Sequence, residues 1–268
     1  MQSYHFLCLF LNLNTSLNSV APFNDMKLIK LDAIDSTNDF LKALSGKQLL
    51  ENFTVVSAEN QTNGKGQMGA KWDSEIGKNL IVSILIKDVL KNNTEIFDLN
   101  VAIALAIISS LETHTIPNLA IKWPNDILSD NKKIAGILIE STIKNNGEIV
   151  SIVGFGLNVN QINFDRLPKA TSLAVVTGSE FDKEKLLLKI IEAIKTNISV
   201  LKNGLASDLW LEYNQNLFKK GVPMPFSNSK EEKFMGIIQN VNSLGQLSVL
   251  LENDVIQTFG IKEIQMLY

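Results

Sequence analysis

The chain has 268 residues, of which 45% are hydrophobic and 20% are charged, and this composition is typical of an ordinary globular protein. The net charge of −3 excludes the basic excess that a nucleic-acid-binding protein usually carries, so we expect no nucleic acid partner. A single cysteine excludes an internal disulfide framework, and two histidines leave little room for a histidine-built zinc site. Acid–base chemistry would therefore rest mainly on lysine and carboxylate side chains.

The beginning of the chain has an unusual composition, because residues 1–24 contain no Lys, Arg, Asp or Glu. The apolar run from Phe6 to Leu11 is too short to span a membrane. A secretory signal peptide requires a positively charged residue before its apolar run, and no Lys or Arg precedes Phe6. We therefore interpret residues 1–25 as a dispensable extension or an over-long start, with a secretory signal as the alternative. We expect a cytoplasmic protein without a membrane partner.

Hydrophobic patterns predict strands and helices along the rest of the chain. A strand and then a helix come first, and the helix begins at the capping residue Ser36 and is expected to end at Gly46. Asn145-Asn146-Gly147 predicts a hairpin turn between two strands. The predicted strands cover residues 27–33, 53–57, 79–87, 119–123, 134–142 and 148–155. The later predicted helices cover residues 96–112, which should be buried because they are apolar nearly all round, 182–201 and 206–217.

The pattern changes at Lys219, after which short strands alternate with turns at residues 242–245 and 252–254. This arrangement predicts a small β-barrel. In the part before it, most strands are joined by hairpins and do not alternate with helices. We therefore predict an α+β main domain with a mixed, mostly antiparallel sheet.

The segment Gly64-Lys65-Gly66-Gln67-Met68-Gly69 matches the pattern G-x-G-x-x-G of dinucleotide-binding proteins. That fingerprint requires a helix directly after the glycines, whereas Ala70 and the following residues lead into another strand. A Walker loop is excluded as well, because no Gly-Lys-Ser/Thr ends the segment. Two interpretations remain: a mobile surface loop, or an anion-binding loop in which Lys65 and Lys71 lie among backbone N–H groups.

Two further segments combine lysine with other polar groups close to predicted strands. In Lys122-Trp123-Pro124-Asn125-Asp126, the carboxylate of Asp126 would suit Mg²⁺ together with phosphate oxygens, and a simple Asx turn is the alternative. In Lys132-Lys133-Ile134-Ala135-Gly136, two lysines precede a strand whose glycine indicates close approach of a ligand. A solvated lysine pair is the alternative there.

The order and spacing of the polar segments are more specific than any one segment. In chain order they are Ser36-Thr37-Asn38, Gln61, the glycine segment with Trp72, Lys122–Asp126, Lys132–Leu138 and Gly154-Phe155-Gly156-Leu157-Asn158. From about Met26 to its end, the chain closely resembles the biotin protein ligases. The resemblance implies a catalytic domain related to class II aminoacyl-tRNA synthetases over residues 26–218, followed by an SH3-like barrel over residues 219–268.

The resemblance also implies roles for individual residues. Catalytic roles fall to Lys133, against the reacting carboxylate and α-phosphate, and to Lys65. The implied biotin site contains Ser36, Thr37, Asn38, Gln61, Gly64, Lys65, Gly66, Gln67, Lys133 and Gly136. The implied ATP site contains Trp72, Lys122, Asn125, Asp126 and Asn158, with Asp126 as the ligand of Mg²⁺. Lys65 and Gln67 stand where the family usually has arginine, so Gln67 removes one fixed positive charge near the phosphates.

The implied reaction condenses biotin with ATP to biotinyl-5′-adenylate and pyrophosphate, and then transfers biotin to a lysine of a biotin carboxyl carrier domain. Because two anions meet in the first step, it requires lysines, amides and a metal more than a general base. Some members of the family carry an N-terminal helix-turn-helix domain and act as repressors. The short uncharged segment here implies a monofunctional ligase, and a homodimer is a further expectation because homodimers occur in the family.

Two other functions compete with this interpretation. A lipoate ligase or octanoyl transferase shares the fold, but such enzymes carry Arg-Arg before Ser-Gly-Gly-Gly, and this chain has no Gly-Gly pair. A non-catalytic sensor of biotin or of its adenylate is the second alternative, and the presence of Lys65, Lys133 and Asp126 argues against it. A biotin-dependent ATP–pyrophosphate exchange assay distinguishes the three functions.

Overall fold

The computed structural model describes residues 17–23 and 26–268, with side chains from Lys27 onward except that of Asn93. The chain divides into two compact units. The first unit comprises Met1–Val89 and Ile134–Leu187, and the second comprises Leu90–Lys133 and Leu188–Tyr268. This division does not follow the predicted domain boundary between residues 218 and 219, so that boundary stays a prediction.

The elements are numbered in chain order. The strands are β1 (Leu17–Phe23), β2 (Met26–Ile34), β3 (Val55–Gln61), β4 (Leu80–Lys87), β5 (Leu119–Lys122), β6 (Asp126–Ser129), β7 (Lys132–Ile143), β8 (Ile149–Leu157), β9 (Pro223–Asn228), β10 (Lys233–Val241), β11 (Leu247–Leu251), β12 (Ile256–Phe259) and β13 (Ile264–Met266). The α-helices are α1 (Thr37–Lys47), α2 (Ile96–Leu111), α3 (Leu173–Thr177), α4 (Lys183–Lys202) and α5 (Ala206–Gln215).

The first unit contains a mixed sheet in which the strands lie in the order β1-β2-β3-β4-β8-β7. Strands β2 and β3 are parallel, and the other neighbouring pairs are antiparallel. The predicted hairpin is present, with Gly147 at a φ of 83° in the turn between β7 and β8. The predicted α+β content with a mixed, mostly antiparallel sheet is therefore confirmed.

Helix α1 packs its apolar side chains against one part of this sheet. Phe40, Leu41 and Leu44 are buried in one cluster with Ile29 and Leu31 of β2. This contact fixes the start of α1 above the sheet, which matters because Ser36, Thr37 and Asn38 lie at that end. The predicted stop at Gly46 is wrong by one residue: α1 continues through Gly46 to Lys47. A glycine lowers helix propensity but does not by itself end a helix whose next turn is favourable.

Strand β1 was not anticipated from the sequence. Residues 17–23 pair antiparallel with β2, so part of the segment interpreted as a dispensable extension contributes an edge strand. The backbone supplies this pairing, and backbone hydrogen bonds need no alternating pattern of side chains. The remainder of the predicted extension, residues 1–16 with 24 and 25, lies outside the described residues.

The second unit is built around helix α2, whose residues are buried along nearly its whole length. By length and composition the segment Ile96–His114 would suffice to cross a membrane, but 67% of its apolar window is buried inside the protein, as in the core helix of a globular unit. Helix α5 packs on α2, where Trp210 stacks on Phe97 at 5.7 Å between ring centroids and Tyr213 meets Phe97 edge-on. The prediction of a buried helix over residues 96–112 is confirmed.

The C-terminal residues of the second unit form a separate five-stranded sheet with the order β12-β11-β10-β9-β13. All of its neighbouring strands are antiparallel. Both predicted turns are present, at residues 242–245 between β10 and β11 and at residues 252–254 between β11 and β12. The short-strand pattern after Lys219 was therefore interpreted correctly as β structure, while the SH3-like barrel stays a prediction.

Candidate active site

Polar side chains converge at the N-terminus of α1 in the first unit. Ser36 caps the helix, since its hydroxyl accepts a hydrogen bond from the backbone N–H of Asp39. The backbone N–H of Thr37 donates to Gln61 Oε1 at 2.7 Å, and the Thr37 hydroxyl lies 3.1 Å from the same oxygen. Ser36, Thr37 and Asn38 are all buried. The structure therefore brings together four of the residues that were predicted for the biotin site.

Ser83 of β4 belongs to the same group, although it was not predicted. It is fully buried, and its hydroxyl oxygen lies 2.8 Å from Thr37 Oγ1 and 2.6 Å from Asn38 Oδ1. The only signal in the sequence is a serine inside the otherwise apolar strand Leu80–Ile86. We call Ser36, Thr37, Asn38, Gln61 and Ser83 the α1 polar cluster.

Two glycines of β8 allow side chains to lie directly on the sheet. A Cβ atom at Gly154 would lie 2.3 Å from Asn38 Oδ1, and one at Gly156 would lie 2.3 Å from the indole of Trp72. Gly156 also pairs with Gly136 of β7, so this part of the β7–β8 ladder carries no side chains at two facing positions. Because Gly154 and Gly156 have no side chains, Asn38 can lie directly on the sheet over Gly154 and Trp72 over Gly156.

The glycine loop, residues 64–72, is a small hairpin. Gly66 N–H donates to Ala70 O at 2.7 Å, and Trp72 N–H donates to Gly64 O at 2.9 Å. Residues Gln67–Gly69 form a single 3₁₀ turn at its tip, with Met68 in the left-handed region at a φ of 57°. These hydrogen bonds fix the backbone of the hairpin, while the two interpretations, a mobile loop and an anion-binding loop, both stay predictions.

An ion pair connects the glycine loop to α1. Lys65 Nζ lies 2.6 Å from the Asp39 carboxylate, and this hydrogen bond raises the pKa of Lys65 above its ordinary value. The further carboxylates Glu140 and Asp35 act in the same direction at longer range. Lys65 is therefore firmly cationic at neutral pH, as its predicted role requires.

In the second unit, two lysines share one carboxylate. Strands β5 and β6 place Lys122 opposite Asp126, with Lys122 Nζ 3.4 Å from Asp126 Oδ2. Lys133, the second residue of β7, lies 2.6 Å from Asp126 Oδ1. Its neighbour Lys132 is exposed. We call Lys122, Asp126 and Lys133 the lysine–aspartate cluster, and all three were predicted site residues.

The turn that precedes Asp126 is held by hydrogen bonds from other elements of the second unit. The Trp123 indole N–H donates to Gly245 O at 2.8 Å, in the turn between β10 and β11. Pro124 O accepts a hydrogen bond from Asn100 Nδ2 at 2.8 Å, and the Tyr213 hydroxyl lies 3.4 Å from it. The turn at residues 123–125 is thus the entry to strand β6, which the sequence did not reveal. Its fixed geometry positions Asp126.

Asn158 and Asn125 complete the predicted residues. Asn158 is buried, and its side-chain amide donates to Thr171 O at 3.0 Å, so at least one of its donors stabilises the chain itself. Asn125 is half-buried in the turn before β6. Among the described residues, no three His, Cys, Asp or Glu side chains gather as metal ligands. A metal at Asp126 would therefore take most of its ligands from phosphate and water.

The sequence and the fold were compared with those of known proteins. The sequence model of the biotin/lipoate A/B protein ligase family matches residues 31–159, which include the α1 polar cluster, the glycine loop and the lysine–aspartate cluster. A biotin protein ligase from Aquifex aeolicus, solved in complex with biotin and ATP, is 26% identical with a TM-score of 0.73, covering 90% of this chain and 98% of that chain. Residues 31–159 thus match the biotin/lipoate A/B protein ligase family, and the fold is similar to that of a biotin protein ligase.

Curated relatives of the chain are themselves named as ligases. The biotin–[acetyl-CoA-carboxylase] ligase of Mycobacterium tuberculosis is 26% identical over 215 residues, which is 79% of each chain. The bifunctional ligase/repressor BirA of Bacillus spizizenii is 32% identical over 169 residues, or 61% of this chain and 51% of that protein. The chain thus spans about half the length of that relative. The resemblance to biotin protein ligases predicted from the motifs is confirmed, and the roles of individual residues stay predictions.

Proposed function

We propose that this protein is an ATP-dependent biotin protein ligase. The observation that carries the proposal is the α1 polar cluster, a buried group of hydroxyls and amides beside side-chain-free glycines of β8. Such a group suits the cyclic urea of biotin, which has both N–H donors and a carbonyl acceptor. The similarity to a solved ligase in complex with biotin and ATP supports the same conclusion.

The proposed reaction has two steps. A carboxylate oxygen of biotin attacks the α-phosphorus of ATP, the bond from that phosphorus to the bridging oxygen of the β-phosphate breaks, and pyrophosphate leaves. In the second step a lysine amine of a biotin carboxyl carrier domain attacks the biotinyl carbonyl, and AMP leaves with the C–O bond electrons. An amide bond forms, and the amine releases its proton.

Lysines are the groups that the first step requires. Charge repulsion opposes the approach of a carboxylate to a triphosphate, and fixed ammonium groups reduce this repulsion. Their effect is stronger in the transition state, where negative charge accumulates. Lys133 and Lys122 already lie within ion-pair distance of a carboxylate, Asp126, which shows that their ammonium groups face an acidic oxygen. Lys65 supplies a further cation at the glycine loop.

The residues present fit a single Mg²⁺ bound with phosphate. Asp126 offers a half-buried carboxylate of the kind that Mg²⁺ prefers, and sites of this type commonly use one or two carboxylates plus substrate phosphates. Bound there, the metal would neutralise phosphate charge. Lys122 and Lys133 hold the same carboxylate through its two oxygens, so this chain also orients it.

Several finer features belong to the proposal. Residues 26–218 would form a catalytic domain related to class II aminoacyl-tRNA synthetases, and residues 219–268 an SH3-like barrel, for which the antiparallel β9–β13 sheet gives support. The biotin carboxyl carrier domain of a carboxylase is the proposed protein partner, and a homodimer is proposed by analogy with the family. Cytoplasm is the proposed location, because ATP and the carrier are the proposed substrates.

The test is ATP–pyrophosphate exchange in the presence of Mg²⁺. We expect exchange that depends on biotin and is absent with lipoate or octanoate, followed by incorporation of biotin into an isolated carrier domain. Exchange driven by lipoate would establish the lipoate ligase alternative instead. Tight biotin binding without exchange would establish a sensor, and either result would overturn the proposed function.

A further inference from the structure

The α1 polar cluster is connected to an ionised group that neither the sequence nor the proposed reaction uses. Asn38 Nδ2 lies 3.0 Å from Oε2 of Glu140, in the middle of β7. From there a continuous row of hydrogen-bonding atoms runs through Asn38 to Ser83 and then to Thr37. Because a charged group lies at one end of the row, the direction of every hydrogen bond in it is determined.

The direction follows from the donors and acceptors of each group. An ionised carboxylate only accepts, so the Asn38 atom facing Glu140 is the NH₂ group, and the amide oxygen faces Ser83. Asn38 Oδ1 only accepts, so the single Ser83 proton is donated to it at 2.6 Å. Ser83 Oγ then has only lone pairs for Thr37, 2.8 Å away.

The Thr37 hydroxyl therefore donates inward to Ser83 Oγ, because two hydroxyl oxygens 2.8 Å apart with no proton between them would repel each other. Gln61 Oε1, 3.1 Å from Thr37 Oγ1, is held as an acceptor by the Thr37 backbone N–H and can share that proton. The proton is thus used within the protein. A free lone pair is left on Thr37 Oγ1 for a ligand.

We infer that Glu140 and Ser83 are positioning residues, which make Thr37 a hydrogen-bond acceptor for an N–H group of the ligand. The inference deepens the proposed function, on which it rests: the site selects a cyclic urea N–H over an oxygen at the same ring position. An acceptor facing another acceptor leaves both unpaired, and sites of this kind reject such analogues strongly.

The experiment compares ligands as well as variants. Biotin and a cyclic carbonate analogue, with ring oxygens in place of both N–H groups, are titrated calorimetrically into the parent, Ser83→Ala and Glu140→Leu. We expect both variants to bind biotin about tenfold more weakly, as when one buried partner is removed. We also expect their preference for biotin over the carbonate to fall about tenfold, because Thr37 regains the freedom to donate.

Matched controls separate positioning from general damage. Ser151→Ala removes another buried serine of the same sheet, whose hydroxyl lies 2.8 Å from that of Ser141, and should leave the preference unchanged. Lys42→Gln removes the 3.6 Å ion pair between Lys42 and Glu140 but leaves the Glu140 carboxylate in place as the acceptor for Asn38. Glu140→Gln retains an acceptor oxygen and should restore most of the preference. The preference is a ratio within one preparation, so it does not depend on the fraction folded.

The outcomes are distinct. If the parent supports biotin-dependent exchange but Ser83→Ala and Glu140→Leu keep the parental preference, the inference is overturned and the proposed function stands. If Ser151→Ala changes the preference as much as Ser83→Ala does, the row carries no special role and the inference is likewise overturned. If the parent neither binds biotin nor supports exchange, the proposed function fails, and the inference fails with it.

Discussion

The Lys65 ammonium lies 2.6 Å from the Asp39 carboxylate, so a side chain of the glycine loop is paired with the first turn of α1. These two residues are 26 positions apart in the sequence, and their pairing brings the loop beside the α1 polar cluster. Since the pKa of Lys65 is raised, the pair is fully present throughout the neutral range. The Lys65 ammonium loses its charge only when the pH rises above the ordinary lysine range.

We predict that Asp39→Asn loosens the glycine loop without unfolding the protein. Amide hydrogen exchange over residues 64–72 should become faster, while exchange in β4 and β8 stays unchanged. Both side chains are more than a third exposed, so global stability should change little. Lys71→Gln is the control, because it removes a cation of the same hairpin and leaves the pair of Lys65 intact. Unchanged exchange in Asp39→Asn would show that the backbone hydrogen bonds alone hold the loop.

Lys133 is predicted to matter far more than its neighbour Lys132. Lys133→Ala should lower the rate of adenylate formation by about 10²–10³, in line with the loss of one oriented group at developing charge. Lys132→Ala should have little effect, because Lys132 is exposed and adjacent residues of a strand point to opposite faces. The measurement is biotin-dependent pyrophosphate exchange by both variants. Equal small effects would mean that the pair is only a solvated charged patch.

Two glycines are predicted to respond in opposite directions to the same substitution. Gly154→Ala would place a methyl group 2.3 Å from Asn38 Oδ1, where the amide is held by Ser83 and Glu140. We expect a loss of about 1–3 kcal/mol in the free energy of unfolding, together with weaker biotin binding. Gly46→Ala meets nothing within 4 Å and lies inside α1, so it should gain about 0.5–1 kcal/mol. Chemical denaturation of the two variants tests both signs.

Asp98 is predicted to give a pH-dependent effect on stability. Burial raises its pKa, although its carboxylate accepts a hydrogen bond from the Trp210 indole at 2.7 Å. The folded state therefore holds the proton more tightly than the unfolded state, and the parent loses stability as the pH rises through the pKa of Asp98. Asp98→Asn keeps an acceptor for Trp210 and carries no charge.

The Asp98→Asn variant should consequently melt at a higher temperature than the parent at pH 7, and this difference should vanish near pH 3, where Asp98 is protonated. Asp208→Asn in the first turn of α5 is the control, since that carboxylate is exposed and favoured by the helix N-terminus. A melting difference that is the same at both pH values would contradict the assigned cause.

Local signals in the sequence were sufficient for much of the fold. Helix α2 was predicted because its residues are apolar on every side, and the β7–β8 hairpin because Asn146-Gly147 favours a tight turn. Strand β6 was missed because Asp126 follows a proline and an asparagine, which are typical of turns. Its strand character comes from pairing with β5, a tertiary effect that no local pattern contains.

In the candidate site, too, some residues were predicted from local sequence motifs and others depend on tertiary contacts. The motifs identified Thr37, Asn38 and Lys133 through their similarity to a family, whereas Ser83 and Glu140 were not recognised. A lone serine in an apolar strand and a glutamate in a partly exposed strand are both common in ordinary sheets. Their significance arises only when α1 is laid across β4, β8 and β7, so that distant residues come within hydrogen-bond distance.

Asp126 gives the second unit an internal counter-ion for two ammonium groups. While Lys122 and Lys133 share that carboxylate, their mutual repulsion is largely masked and the local charge is positive by only one unit. A polyanion that binds to these lysines would replace their ion pairs with Asp126 by ion pairs of its own. Its net binding free energy is therefore the difference between the two sets of interactions. If the cluster binds phosphate as proposed, the shared carboxylate would weaken the binding of a phosphate-rich substrate and would also speed the release of the anionic product.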